Sequence, residues 1–331
     1  MSGRPRLVII SPCRNEQMFA STTIKSVLAQ TFRPHKWLIV DDGSSDATPA
    51  ILRDFAKKDE MIRIVRRDDR GHRQVGPGVV DAFYAGYDRI VGEEWDYVCK
   101  LDLDLELPPR YFETLIERME QEPRLGTCSG WPHARRADKV LVPEHGSEEI
   151  SAGMTKLYRR RCFEDIGGLV RGVMWDGIDC HRCRMMGWVA KSWNDSSDLK
   201  FVHLRQMGSS EGSILRGRAR HGRGQRFMGT GLIYLLASAA NQARQRPYLI
   251  GSLAMVWGYL AAMVKRQKRL DDPEFIKFLR RFQCHCLLRG KRWAIKRVSE
   301  ERKLVGISIA SSRTQQEPSP ELNGQVNEHE R

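Results

Sequence analysis

The 331-residue chain has room for one α/β domain of about 200 residues and a helical appendage. Its eight cysteines follow no disulfide-framework spacing and no segment repeats, which argues against a disulfide-built secreted scaffold or a repeat array and suits a reducing cytoplasm. The net charge of +14 comes from one region: residues 1–200 balance 31 Lys and Arg against 31 Asp and Glu, residues 201–313 carry 23 against 6, and the last 18 residues are mildly acidic.

Leu7–Ser11 (LVIIS) reads as a buried strand, with no signal peptide ahead of it. Pro12-Cys13-Arg14-Asn15-Glu16 follows, then a helical stretch through Val27-Leu28. Trp37–Val40 predicts a second strand. It runs into Asp41-Asp42-Gly43-Ser44-Ser45-Asp46-Ala47-Thr48, whose acidic and hydroxyl groups suit the cap of a helix over Pro49–Lys57. Ile62–Val65 is a third strand and Trp95–Leu105 a fourth. Strands alternating with helices predict an open, mostly parallel α/β sheet, whose ligands bind beyond the strand C-termini.

The fourth strand carries the most informative pair. In Tyr97–Leu107 (YVCKLDLDLEL), apolar residues lead up to Pro108-Pro109, and Asp102 and Asp104 stand two residues apart. Side chains alternate across a strand, so both carboxylates point the same way. Like charges that close raise each other's pKa, and a hard divalent cation removes that cost. Mg²⁺ or Mn²⁺ carrying a diphosphate suits such an all-oxygen site.

Strand–PCRNE, strand–DDGSSDAT, the basic segment Arg70–Gly78, then strand–LDLD, in this order over about the first 205 residues, resembles the family 2 glycosyltransferases with the GT-A fold, bacterial surface-polysaccharide type. The resemblance implies a nucleotide-sugar donor (UDP-sugar as the best guess), Mn²⁺ or Mg²⁺, inversion at the anomeric carbon and a glycan or lipid-linked acceptor. Carried over residue by residue, it implies nucleotide contacts from Pro12, Arg14 and Glu16, base recognition by Asp42 with Asp41 beside it, a donor contact from Arg73, and metal ligation by Asp102 and Asp104. Arg14 stands where many members have Tyr. His203, in Phe201–Arg205 (FVHLR), is a further candidate ligand from a later strand.

In Gly172–Trp188 (GVMWDGIDCHRCRMMGW) the resemblance places the catalytic base on a helix. Family members usually carry Glu-Asp here, and Trp175 takes the place of the Glu. Arg182 and Gly187 lie at the expected spacing from Asp176, while Asp179 shares its helical face. The base is one of these two aspartates, with Asp176 favoured. The alternatives are a nucleotidyltransferase acting on a sugar phosphate, which normally needs a Gly-rich loop after its first strand, and an inactive membrane-bound assembly partner.

A GT-A domain over residues 1–228 is expected to precede a basic helical region over 229–312 and a disordered tail over 313–331. Gly208–Gly231 holds five arginines and His221 among seven glycines. It reads as a loop closing over phosphate or as a basic linker; its poor aromatic content argues against nucleic acid. Leu249–Val264 is 16 residues, short for a membrane span, and Glu274–Arg297 is basic and amphipathic. Both suit an anionic membrane surface, and the expected location is cytoplasmic, peripheral on the inner face of the plasma membrane.

Overall fold

The structure, a computed structural model, describes residues 3–69, 71, 76–144, 146–205, 214–244 and 248–313, with side chains to 302. The first half alternates β1 (Leu7–Cys13), α1 (Ala20–Leu28), β2 (Lys36–Asp41), α2 (Thr48–Ala56), β3 (Ile62–Arg66), α3 (Pro77–Tyr87) and β4 (Tyr97–Leu101). Then come β5 (Leu105–Glu106), α4 (Tyr111–Gln121), β6 (Leu125–Ser129), β7 (Trp131–Arg135), β8 (Leu141–Pro143), β9 (Thr155–Arg159) and α5 (Arg160–Asp165). The chain continues through α6 (Trp175–Met185), β10 (Val189–Ser192) and β11 (Lys200–His203). Five helices complete it: α7 (Ile214–Met228), α8 (Leu232–Gln242), α9 (Tyr248–Val264), α10 (Pro273–Arg289) and α11 (Lys291–Arg313).

A seven-stranded sheet runs β10-β6-β9-β4-β1-β2-β3, with β9 antiparallel to both of its neighbours and the other pairs parallel. A four-stranded sheet, β5-β11-β7-β8, adjoins it. Every residue of β1 is buried. Its Leu7 and Ile9 enter one core with Trp37 and Ile39, while Val8 and Ile10 enter a second with Leu38 and Val40. A strand covered on both faces needs this unbroken apolar run. On the second face α3 comes so close that a Cβ on Gly86 would lie 2.8 Å from Ile10.

Four expectations change. The predicted fourth strand breaks at residues 102–104, because Leu105–Glu106 leaves the main sheet to pair antiparallel with β11. The glycine-rich basic segment is helical from Ile214 to Met228 rather than a loop, and residues 206–213 lie outside those described. Glu274–Arg297 is two helices, separated by Gly290 at φ +86°. Ala47 occupies the α2 cap position, with Asp46 accepting from the Thr48 N–H at 2.9 Å.

The C-terminal helices pack on the sheet domain. Ile178 of α6 meets Met228, Phe275 and Leu279, and Arg182 pairs with Asp272 at 2.8 Å. Among the described residues no helix is long and apolar enough to cross a membrane. The predicted tail, from residue 314 onward, lies outside the described residues.

Candidate active site

The C-terminal ends of β1, β2 and β4 open onto a cleft of about 300 Å³, the lower end of the usual range for small-molecule sites. Its first wall is the loop after β1. Arg14, 9% exposed, donates to the Asp42 carbonyl at 2.7 Å and pairs with Asp69 at 2.6 Å. The Glu16 N–H donates to Thr48 Oγ1 and the Asn15 N–H to Ser44 Oγ, tying this loop to the one after β2. Gly43 makes that second turn at φ +74°, where a Cβ would lie 2.5 Å from the Asp69 Cα.

Pro12, Arg14, Glu16 and Asp42 line the cleft together. Asp41 does not. Its carboxylate is buried, pairs with Arg66 and accepts the Ser44 N–H at 2.8 Å, so it shapes the turn. Arg73 lies outside the described residues, although Gly76 and Gly78 after it reach the cleft.

The second wall is acidic. Asp102, Asp104 and His203 all line it, and each meets a charged partner. Lys100 Nζ lies 2.5 Å from Asp102 and donates to the Gly153 carbonyl at 2.9 Å. Arg205 lies 3.0 Å from Asp104 and also pairs with Glu16, joining the first wall to the second. Burial and then the neighbouring Asp104 raise the pKa of Asp102 against the pull of Lys100. Burial acts upward on Asp104 too, but His203 and Arg205 outweigh it and hold that carboxyl below its usual range.

Among the described residues no three His, Cys, Asp or Glu side chains form a group able to hold a metal ion. His203 directs Nδ1 to Glu144 at 3.0 Å and Nε2 toward Asp104 at 3.8 Å. Mg²⁺ and Mn²⁺ sites often use only one or two carboxylates, the rest of the shell being water and substrate phosphate. Asp102 and Asp104 fit that minimal set, and a metal held there would compete with Lys100 for Asp102.

Burial disfavours a charge on His203, yet Asp104 and Glu144 raise its pKa to about 9. The raised folded value means its stabilisation is complete below the unfolded imidazole pKa of about 6.5 and is lost as pH rises through about 9. Metal-free His203→Gln should therefore be less stable than the parent near pH ~6, with the gap narrowing toward pH ~10. Urea melts across this range check it. A constant gap would mean that folding does not shift the His203 pKa.

The third wall begins at Met174, whose left-handed backbone (φ +68°) starts α6. Trp175 and Asp176 follow and both line the cleft. The Trp175 ring lies 5.3 Å from Lys100 Nζ and 5.5 Å from Lys156 Nζ, so an aromatic face supports the two buried ammonium groups where the family usually has Glu. Asp179 does not line the cleft. It is 1% exposed, its carboxylate meets Lys156 Nζ at 2.6 Å, and it accepts from the Tyr158 hydroxyl. Lys156 also donates to the Asp176 carbonyl at 2.7 Å, fastening the first turn of α6 to β9. Arg182 and Gly187 are structural: one pairs with Asp272, the other makes the turn after α6 at φ +87°.

Lys100 and Arg205 are the charged cleft residues not anticipated. Each sits two positions from a predicted ligand, Asp102 and His203, and the period-two rule that paired the aspartates could have found them.

A family model described as "Glycosyl transferase family 2" matches residues 8–175. Over 136 residues the chain is 26% identical to the poly-beta-1,6-N-acetyl-D-glucosamine synthase of Staphylococcus aureus strain COL, covering 41% of this chain and 30% of that protein. Over 130 residues it is 28% identical to the protein of the same name from Staphylococcus epidermidis, covering 39% and 29%. The chain thus spans about 30% of the length of these relatives. Among solved structures, the mannosyltransferase PcManGT from Pyrobaculum calidifontis, in complex with GDP-Man and Mn²⁺, superposes with a TM-score of 0.48 at 17% identity, covering 92% of this chain and 88% of that one. The α/β sheet is the GT-A sheet, and the family match runs from its first buried strand to the tryptophan beside Asp176. Covering just over half of the chain, that match shows that the protein belongs to glycosyl transferase family 2.

Proposed function

We propose that this glycosyltransferase moves a sugar, with inversion, from a nucleoside diphosphate donor to a hydroxyl of a glycan or lipid-linked acceptor. The observation that carries the proposal is one cleft lined by Arg14, Glu16 and Asp42, by Asp102 and Asp104, and by Asp176. Arg14, Glu16 and Asp42 hold the nucleoside, and Lys100 and Arg205 place positive charge near the diphosphate. Asp176 takes the proton from the acceptor hydroxyl as its oxygen bonds to the anomeric carbon and the bond to the diphosphate breaks. A divalent ion held by Asp102 and Asp104 would neutralise charge on the leaving diphosphate. A UDP-sugar is the proposed donor, and the staphylococcal relatives make an N-acetylhexosamine the first sugar to try.

Incubation with UDP-sugars and Mn²⁺ separates the readings. Release of nucleoside diphosphate supports transfer, pyrophosphate points to nucleotidyl transfer, and no release from any donor points to an inactive assembly partner. Calorimetry tests the acidic wall. Asp104→Asn should keep the fold, because the residue sits beyond the end of β4, and should lose the Mn²⁺-dependent part of UDP affinity. Undiminished metal-dependent binding would remove Asp104 from the donor site.

A further inference from the structure

We propose that the outer face of α8 and α9 docks onto an anionic lipid bilayer, lying in its interface rather than crossing it. One side of α9 is occupied by protein. Gly251, Met255, Gly258, Tyr259 and Ala262 are buried, and a Cβ on Gly258 would lie 2.0 Å from the Ala219 carbonyl oxygen of α7. On the opposite side Leu249, Ile250, Leu253 and Trp257 are 61%, 61%, 58% and 70% exposed. Steps of four from Leu249 to Leu253 to Trp257 put these residues along one stripe. Helix α8 packs on α9 through Leu235 and Ala239 and has its own exposed apolar side chains, Ile233 and Leu236. Four large exposed apolar side chains along one side of a single helix are more than scattered surface hydrophobes.

Charge names the occupant. Arg244, Lys265, Arg266, Lys268 and Arg269 follow the two helices and are exposed, and no Asp or Glu occurs between Leu232 and Leu270. A bilayer with anionic headgroups satisfies both the apolar stripe and these cations. A second copy of this chain would bring the same cations face to face. The acidic residues 314–331 contain no apolar run to cover the stripe. Helix α9 is not long and apolar enough to cross: its 17 residues span about 26 Å against a hydrocarbon layer of roughly 30 Å, and one face packs on α7 and α8. Helix α7, on the inner side of α9, packs through Gly224 on Met174, next to Trp175 and Asp176, and so links α9 to the cleft.

The test is flotation of the full chain with vesicles of phosphatidylcholine alone or mixed with phosphatidylglycerol, at low and high salt. The full chain should float with the mixed vesicles and be released by salt. Leu253→Ser with Trp257→Ser should weaken partitioning by about 10-fold or more, since two apolar anchors are lost. Replacing Lys265, Arg266, Lys268 and Arg269 with Glu should abolish the preference for phosphatidylglycerol. All six positions are exposed, and unchanged circular dichroism will show that each variant is folded. The proposal is overturned if the parent does not float, if the apolar double variant floats as the parent does, or if the parent is a dimer that this variant dissociates. Binding is read without turnover, so failure here leaves the transferase reading untouched.

Discussion

Asp176→Asn is expected to lower kcat by about 10²–10⁴-fold, the usual contribution of a general base, with little change in donor affinity. Asparagine preserves shape and can still hydrogen-bond, but it cannot accept a proton. Asp176 is the only one of the two candidate aspartates on α6 that lines the cleft, so the loss should fall on the chemical step and not on nucleotide binding. Pre-steady-state release of nucleoside diphosphate with a defined acceptor, next to calorimetry of UDP, separates the two. Asp179→Asn serves as the comparison. If Asp179 were the base, its variant would show the kinetic defect with normal stability and Asp176→Asn would turn over normally. If both variants retain full turnover, α6 is not the acceptor side of the cleft.

Which features were legible in the sequence depended on how far their causes lie along the chain. The buried strands were readable because burial on both faces demands unbroken apolar runs, as in Leu7–Ile10. Asp102 and Asp104 were readable because an acidic pair at the end of such a run is costly without a cation. Their surroundings were not, since the break at residues 102–104 comes from β5 pairing with β11, almost a hundred residues later. Helix α7 was missed for a local reason. Gly217, Gly222 and Gly224 argue for a loop by propensity, yet two of them are needed for close packing. A Cβ on Gly222 would lie 1.8 Å from the Met255 carbonyl oxygen of α9, and one on Gly224 would lie 2.4 Å from Met174. Spacing to Arg182 and Gly187 favoured Asp176, but Asp179, on the same helical face, stayed a candidate. What the sequence did not show is that Lys156 and Tyr158, brought alongside by β9, take up the Asp179 carboxylate.

Lys156→Met should destabilise the fold by about 3–5 kcal/mol, because it leaves a buried carboxylate without its cation. Lys156 and Asp179 are 0% and 1% exposed at their side chains, so water cannot replace either partner. Burial alone opposes the ammonium charge, and the adjoining Asp179 more than offsets it, placing the Lys156 pKa above the usual lysine range. For a lysine raised on folding, the contribution is complete below the unfolded value of about 10.4 and is lost only as pH rises past the still higher folded value. Lys156 itself stays charged through neutral pH, but its loss removes the cation that holds down the Asp179 pKa, already raised by burial, so the difference between parent and Lys156→Met should widen as pH rises. Removing both charges, as Lys156→Met with Asp179→Leu, should recover part of the loss, since an apolar pair carries no unpaired ion. Tyr158 would still lose its acceptor, so recovery should be incomplete. A double-mutant cycle by urea denaturation gives the coupling directly. Additive single effects would show that the two side chains stabilise the fold independently, and the anchoring of α6 beneath Asp176 would then rest on other contacts.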